Sequence, residues 1–515
     1  MYQLILDAEI VAEACMLNDQ DEAISILLEK ADREGWRLWL YTGQLTEILH
    51  RLCDSLSNRS SSITTDSASL EAEARGLLKR FVSRHHWLSA LSEDAEGLDE
   101  LDSIGFSLTH AAKRLGKEVR IVTRNVDRLK NGYPFIDVDV AREHDPVIYR
   151  DLIGLSSSQD KIRATIEHNI QKVLGHCGFI MGPEITELES QLSDYVGVEH
   201  CVCLSSGTDA LLVALMAMGL SDGDEVITTP FTFAATGEVI KLLGAKAVYV
   251  DIDTTTYNIN VDSIEGAITD KTSAIMPVNL YGQCADIDKI NAIADHHGLL
   301  VIEDAAQSFG ASLRGRKSCG LSTIGCTSFF PTKPLGGYGD GGACFTSNKE
   351  LADLMRLLID HGQDTKYNHK RLGINGRMDT LQAAVLLAKL EMFEDEIARR
   401  NVVARNYSDM LSKAENSGYL QLPKVVDYCN SVWAQYTVKV GNRDKVQKKL
   451  SEAGVPTSVH YPTPLYRQPA FFQQGVICPN TEKVVTEVLS LPMHPYLTME
   501  TQAWISETLI QTLES

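Results

Sequence analysis

Between residues 200 and 305, short apolar runs alternate with helical stretches, and this alternation constrains the fold more than any other feature. The runs are Cys201-Val202-Cys203-Leu204, Asp224 to Thr229 (DEVITT), Ala245 to Asp253 (AKAVYVDID), Thr272 to Leu280 (TSAIMPVNL) and Leu299-Leu300-Val301-Ile302. A continuous apolar run suits a strand covered on both faces, and a helix before each strand implies crossover connections. The pattern predicts an α/β fold with a mostly parallel sheet between helical layers. Such sheets bind ligands at the carboxyl ends of their strands. Phe233, Asp304, Lys333 and the Ser206-Gly207-Thr208 turn all follow strands in the sequence, so they can converge there.

Two of those features carry chemistry. Glu303-Asp304 closes the last apolar run, and Lys333 lies in the stretch STIGCTSFFPTKPLGGYGDGG, residues 322–342. A strand-end carboxylate can hold a pyridinium nitrogen, and a loop lysine can form a Schiff base with an aldehyde. The turn at Gly207-Thr208 opens the apolar helix LLVALMAMGL. Unpaired N–H groups and the helix dipole suit such a turn to a phosphate, although Ser205, Ser206 or Thr208 could equally serve as a plain N-cap.

At 515 residues the chain should hold two or three domains. Its net charge of −21 argues against a broad nucleic-acid surface. No apolar run reaches the ~18–20 residues of a membrane span. The start, MYQLILDAEIV, lacks a basic segment and carries an early acid, so it does not resemble a secretory leader and a cytoplasmic location is expected. The 11 cysteines form no CxxC pair and are expected to be reduced thiols.

The first 150 residues read separately. YQLILD predicts a buried strand, helical periodicity follows in AISILLEKA and TGQLTEILHRLCDSL, and residues 55–68 are a serine-rich loop. A further helix is predicted from Leu101 to Leu115, and a strand over Val119–Thr123. Acids stand after the first strand (Asp7), in an early helix (Glu47), at a later helix (Asp102) and past a later strand (Asp127). With TRNVDRL, this arrangement resembles the PIN domain, a small α/β fold. The resemblance implies Mg²⁺ or Mn²⁺ at those four acids and RNA cleavage. The match departs at Ala8-Glu9, and Asp94 or Asp99 could stand in for Asp102. This segment has 18 Lys and Arg against 26 Asp and Glu, an unfavourable balance for gripping RNA. Strand-end and cap roles on a solvated face remain open for the same acids.

From about residue 160 onwards, SSGTDAL, GDEVIT, EDAAQSFGA, TSFFPTKPLGGYGDGG and INGRMDTLQAA follow one another in order. In that order they resemble the DegT/DnrJ/EryC1/StrS sugar aminotransferases. The resemblance implies the aspartate-aminotransferase fold (fold type I) with pyridoxal 5'-phosphate. It implies that Lys333 links to the cofactor, Asp304 pairs with the ring nitrogen, Gln307 bonds the ring hydroxyl and Phe233 stacks on the ring. The phosphate would sit between Gly207, Thr208 and Ser328, with Asn375 reaching it from a partner subunit, so a homodimer is implied. Members that dehydrate generally carry histidine where Lys333 stands. HGQ at 361–363, SVHYPTPLYRQPAF and LSLPMHPYL are similar to the branch that aminates the 3-keto form of UDP-N-acetylglucosaminuronic acid. That similarity implies that Arg377 of a neighbouring subunit, His460 and Tyr461 approach the acidic sugar or the incoming carboxylate. Met181, in the 178–183 loop, would line the nucleotide pocket. L-glutamate is the implied amino donor, and RNA is a partner only if the N-terminal unit is an active nuclease. The expected organisation is a PIN-like domain over 1–140, a linker over 141–158, a large cofactor-binding domain over 159–400 and a small α+β subdomain over 401–515.

Overall fold

The computed structural model describes residues 152–514 and, within the first 146 residues, five short strands. The chain forms two compact units, Met1–Pro146 and Val147–Ser515. In the first unit, β1 (Gln3–Leu6), β2 (Arg37–Tyr41), β3 (Leu88–Leu91), β4 (Val119–Thr123) and β5 (Phe135–Asp137) make an all-parallel sheet in the order β3-β2-β1-β4-β5. Sequence reading found β1 and β4. LSAL and FID are too short to show a period, and Arg37 interrupts the apolar character of β2. Asp7, Glu47, Asp102 and Asp127 lie outside the described residues, as do the helices and serine-rich loop expected in this unit.

The second unit is built on a seven-stranded sheet of β6 (His200–Leu204), β7 (Glu225–Thr228), β8 (Lys246–Tyr249), β9 (Thr272–Ile275), β10 (Leu300–Asp304), β11 (Ile324–Ser328) and β12 (Gly342–Thr346), in the order β6-β12-β11-β10-β9-β7-β8. Only β12 runs against its neighbours. The strands are shorter than predicted. TSAIMPVNL leaves the sheet after Ile275 because Pro277 offers no N–H, and it touches β10 again through a bridge from Val278 to Asp304.

Helices cover both faces. On one, α3 (Gly207–Ala217) and α4 (Ala234–Leu242) pack Val213, Ala214, Val239 and Ile240 against Val226, Ile302 and Ile324 of the strands. On the other, Leu188 and Leu192 of α2 (Pro183–Val196) share a core with Phe309, Phe329 and Phe345. A third core, under α5 (Ile287–His297), joins Ile287, Ile290 and Ala294 to Ile227, Ile275 and Val301. After β12 come α6 (Lys349–Leu358) and α7 (Thr380–Leu390), whose residues 383–388 are all buried.

Two expected boundaries shift. Helix α1 (Leu155–His176) begins inside the stretch expected to be a linker. Its triple serine reads as loop, but a first helical turn tolerates serine. Ile162 and Ile166, four apart, pack on Val385 and Ala388 of α7. The expected break at 400/401 falls inside α8 (Phe393–Asn416). This helix starts in the large-domain core with Phe393 and ends in the small one with Val403, Tyr407 and Leu411. The small core is closed by an antiparallel sheet of β13 (Leu420–Gln421), β14 (Tyr436–Val440) and β15 (Val488–Leu491), with α9 (Arg443–Glu452) and α10 (Met499–Glu514). No described helix is long and apolar enough to cross a membrane. The nine described cysteines are free thiols, all buried except Cys177.

Candidate active site

A cavity of about 490 Å³ opens at the carboxyl end of the large sheet. Asp304 and Lys333 both line it, as do Phe233 and Gln307, the Gly207-Thr208 turn and Ser328, and His460 and Tyr461 from the small subdomain.

Asp304 ends β10 and is almost wholly buried. Its Oδ2 accepts the Thr236 hydroxyl at 2.7 Å, and its Oδ1 accepts the Ala306 N–H at 3.2 Å. Burial raises its pKa, opposed by the Thr236 bond, the Ala306 N–H and the charge of Lys333. Burial also lowers the Lys333 pKa, and the Asp304 charge opposes that shift. The pair therefore combines a buried acid, whose upward pKa shift is opposed by specific donors, with an amine biased towards its neutral, nucleophilic form.

Thr236 was not foreseen. It lies in α4 with no exposed surface, and its hydroxyl meets that of Thr232 at 2.9 Å. Thr232 precedes the N-cap Phe233, outside the helical repeat, so periodicity did not reveal the pair.

Helix α3 begins at Gly207, where Ser206 Oγ caps the Asp209 N–H at 3.0 Å. The cap reading is correct for Ser206. It leaves the N–H groups of Gly207 and Thr208, which a helix cannot satisfy internally, facing the cavity. A Cβ at 207 would lie 2.6 Å from Ser328 Cβ, so only glycine lets these backbones close into one cradle. This cradle suits a phosphate. The buried carboxylate suits a pyridinium nitrogen, and Phe233, 58% exposed, offers a ring face. The residues present thus fit pyridoxal phosphate.

Gln307 is held from both ends: its Oε1 accepts the Tyr281 N–H at 2.8 Å and its Nε2 donates to the Tyr461 hydroxyl at 3.0 Å. His460 Nδ1 meets Ser490 Oγ at 3.0 Å, and Tyr281 donates its hydroxyl to the His460 carbonyl. Burial, with the Lys333 charge, pulls the His460 pKa down to about 4, leaving a neutral imidazole at the cavity wall.

Three expected site residues do not line the cavity of their own chain: Asn375, Arg377 and Met181. Arg377 bridges Leu204 and Asn375 bridges Asp360, with the Gly376 carbonyl accepting the Ser205 N–H at 2.8 Å, while the 179–182 loop lies against Asp379 and Thr380. Ile180 bridges Asp379, the Thr380 N–H donates to the Phe179 carbonyl at 2.9 Å, and Thr380 Oγ1 accepts the Gly182 N–H at 3.1 Å. Arg377 pairs with Asp360, and Phe179, Ile180 and Met181 are exposed.

The strand order, with a lysine loop and a strand-end carboxylate meeting over a phosphate cradle, defines a pyridoxal-phosphate-dependent aminotransferase. The model of the DegT/DnrJ/EryC1/StrS aminotransferase family matches residues 160–510. The chain belongs to that family. It is 54% identical over 349 residues to the UDP-2-acetamido-2-deoxy-3-oxo-D-glucuronate aminotransferase of Pseudomonas aeruginosa, covering 67% of this chain and 96% of that relative. It is 39% identical to a UDP-N-acetyl-3-dehydro-alpha-D-glucosamine 3-aminotransferase of Acidithiobacillus ferrooxidans, covering 70% and 97%. Among solved structures, NtdA of Bacillus subtilis with bound cofactor PMP superposes with a TM-score of 0.67 at 32% identity, covering 80% of this chain and 98% of that one. The chain is a sugar aminotransferase that uses pyridoxal phosphate.

Proposed function

We propose that the enzyme aminates the 3-keto form of UDP-N-acetylglucosaminuronic acid, with L-glutamate as donor, in cell-surface polysaccharide synthesis. The observation that carries the reaction class is the meeting of Lys333 and Asp304 in one cavity. The substrate rests on the similarity to the Pseudomonas aeruginosa enzyme, which covers nearly all of that protein.

When bound, pyridoxal phosphate supplies an electron sink and carries the amino group from donor to acceptor. Asp304, held in place by Thr236 and Ala306, would pair with the ring nitrogen and favour its protonated form. Lys333 Nζ moves a proton on and off the reacting carbon as general acid and base, a role that its lowered pKa favours. Gly207, Thr208 and Ser328 would bind the phosphate, Phe233 would support the ring and Gln307 would meet its hydroxyl edge. His460 and Tyr461 contact the sugar as neutral hydrogen-bonding groups. Asn375 and Arg377 act in the site of a second copy, and Met181 lines the nucleotide pocket. Arginine would recognise the sugar's carboxylate there. Offering keto-sugars with and without a C6 carboxylate tests the substrate; equal kcat/KM for both would overturn it. A solution mass equal to one chain would overturn the shared site.

For the first 140 residues, the five-stranded parallel sheet favours a second, PIN-like activity. In the sequence Asp7 directly follows β1, and Asp127 comes four residues after the end of β4, the strand paired with β1. Such acids suit a divalent cation, Mg²⁺ or Mn²⁺. RNA cleavage with either metal, lost on Asp7→Asn, supports this reading; no cleavage with either sinks it.

A further inference from the structure

Lys333 lies in an irregular loop between Ser328 and Gly342. The loop's own backbone ties it at three points. The Lys333 N–H donates to the Phe330 carbonyl at 2.9 Å, and the Gly337 and Phe329 N–H groups donate to the Phe329 and Gly341 carbonyls at 2.8 Å each. These bonds set the curl of the loop but do not fix its placement relative to Asp304.

Helix α7 reaches the loop from outside with two side chains. Gln382 Oε1 accepts the Tyr338 N–H at 2.8 Å. Lys389 Nζ donates to the Gly336 carbonyl at 2.6 Å and lies 4.7 Å from the centre of the Tyr338 ring. The two residues are seven apart, about two turns, and so share one face. The loop is shaped to receive them: a Cβ at 337 would lie 2.9 Å from Gln382 Oε1, and one at 339 would lie 2.8 Å from Gln382 Nε2. The helix itself is anchored by six consecutive buried residues, so it offers a fixed reference.

Lys389 is costly to place there. Among the described residues it makes no ion pair within 4 Å, although Glu396 acts on it from a distance. A small cavity of about 30 Å³ beneath the loop is lined by Lys389, Glu396 and Arg400 together with Lys333 and Gly336. Burial pulls the Lys389 pKa down to about 8. A half-buried ammonium that spends its donors on a backbone carbonyl and an aromatic face contributes little to general stability.

We propose that Lys389 and Gln382 are positioning residues that clamp the Lys333 loop over the sheet and hold the Lys333 amine in line with Asp304. This rests on the reading of Lys333 as the cofactor-linked lysine. Geometry of this kind matters because small misplacements of a reacting group cost large factors in rate.

The test uses the full-length holoenzyme and four readouts: the borohydride-sensitive visible band, its pH midpoint, kcat with both KM values, and the melting temperature. Lys389→Met keeps the stem and removes the charge. We expect kcat to fall about tenfold or more with both KM values within about threefold. The pH midpoint of the visible band should move by about half a unit or more, reporting an altered environment of Lys333. Lys389→Arg should restore most of the rate. Gln382→Leu should move the same two quantities by a smaller amount, and it decides the matter alone if Lys389→Met does not fold. An unmoved midpoint and rate in folded variants, with a normal wild-type band, would overturn the clamp alone. A wild-type protein with no such band would overturn the reading of Lys333 and the clamp with it.

Discussion

Thr236→Val tests the electrostatics of the site through a residue not expected to touch the substrate. Valine keeps nearly the same shape and removes one hydroxyl, so packing around this buried position is preserved. The change deletes the 2.7 Å bond to Asp304 Oδ2 and leaves Thr232 without its partner. A hydrogen bond to a charged group is worth about 1.5–3 kcal/mol. Its loss should raise the Asp304 pKa further. The sign follows from the bond itself: Thr236 donates to the carboxylate and so stabilises the charged form, and removing it favours the neutral acid. A carboxyl that keeps its own proton holds the cofactor's ring nitrogen less well. The expected result is a loss in kcat of about 10- to 100-fold with KM little changed, as for an interaction that matters in the transition state. The acid limb of the rate profile should shift to higher pH. Stopped-flow measurement of each half-reaction, with Thr236→Ser as the hydroxyl-retaining control, checks this. A folded Thr236→Val enzyme with kcat within about twofold of wild type would refute the reasoning.

Other outcomes follow from the same geometry. Lys333→Ala should lose both turnover and the borohydride-sensitive band; surviving turnover in single-turnover assays would contradict the role given to the lysine. Gly207→Ala places a methyl against Ser328, an overpacking that costs about 1–3 kcal/mol, and it should weaken cofactor binding in a pyridoxal phosphate titration. His460, whose pKa falls from 6.5 to about 4, binds a proton less readily folded than unfolded. Its contribution is therefore fully present above about pH 6.5 and is lost as pH falls towards 4. Relative to wild type, His460→Gln should flatten the decline in melting temperature across that window.

Much of the large domain was legible because its strands are buried on both faces. The centres of DEVITT, AKAVYVDID and LLVIED are short apolar, β-branched runs, which a buried strand suits well. The strand ends were overextended where local sequence stays apolar but the backbone turns, as at Pro277 in TSAIMPVNL. The start of α1 was hidden because its serines read as loop, whereas burial of Ile162 and Ile166 against α7 selects the helix. Of the site, Lys333 and Asp304 stand out because their chemistry is written in residue type and spacing. Thr236 and Lys389 do not. Threonine on a helix and lysine near a helix end are common, and only their partners, 68 and 53 residues away in the chain, give them a task.

By itself, then, the sequence determined the layered α/β class, the family, and the lysine and acid proposed to react. Those depend on local patterning and on residue chemistry. Tertiary structure alone decided which groups set the charge state of Asp304 and which hold the Lys333 loop. It also separated Asn375, Arg377 and Met181 from the cavity that their own chain encloses. These are long-range contacts fixed by how α4 and α7 dock on the sheet, and periodicity along the chain carries no record of that docking.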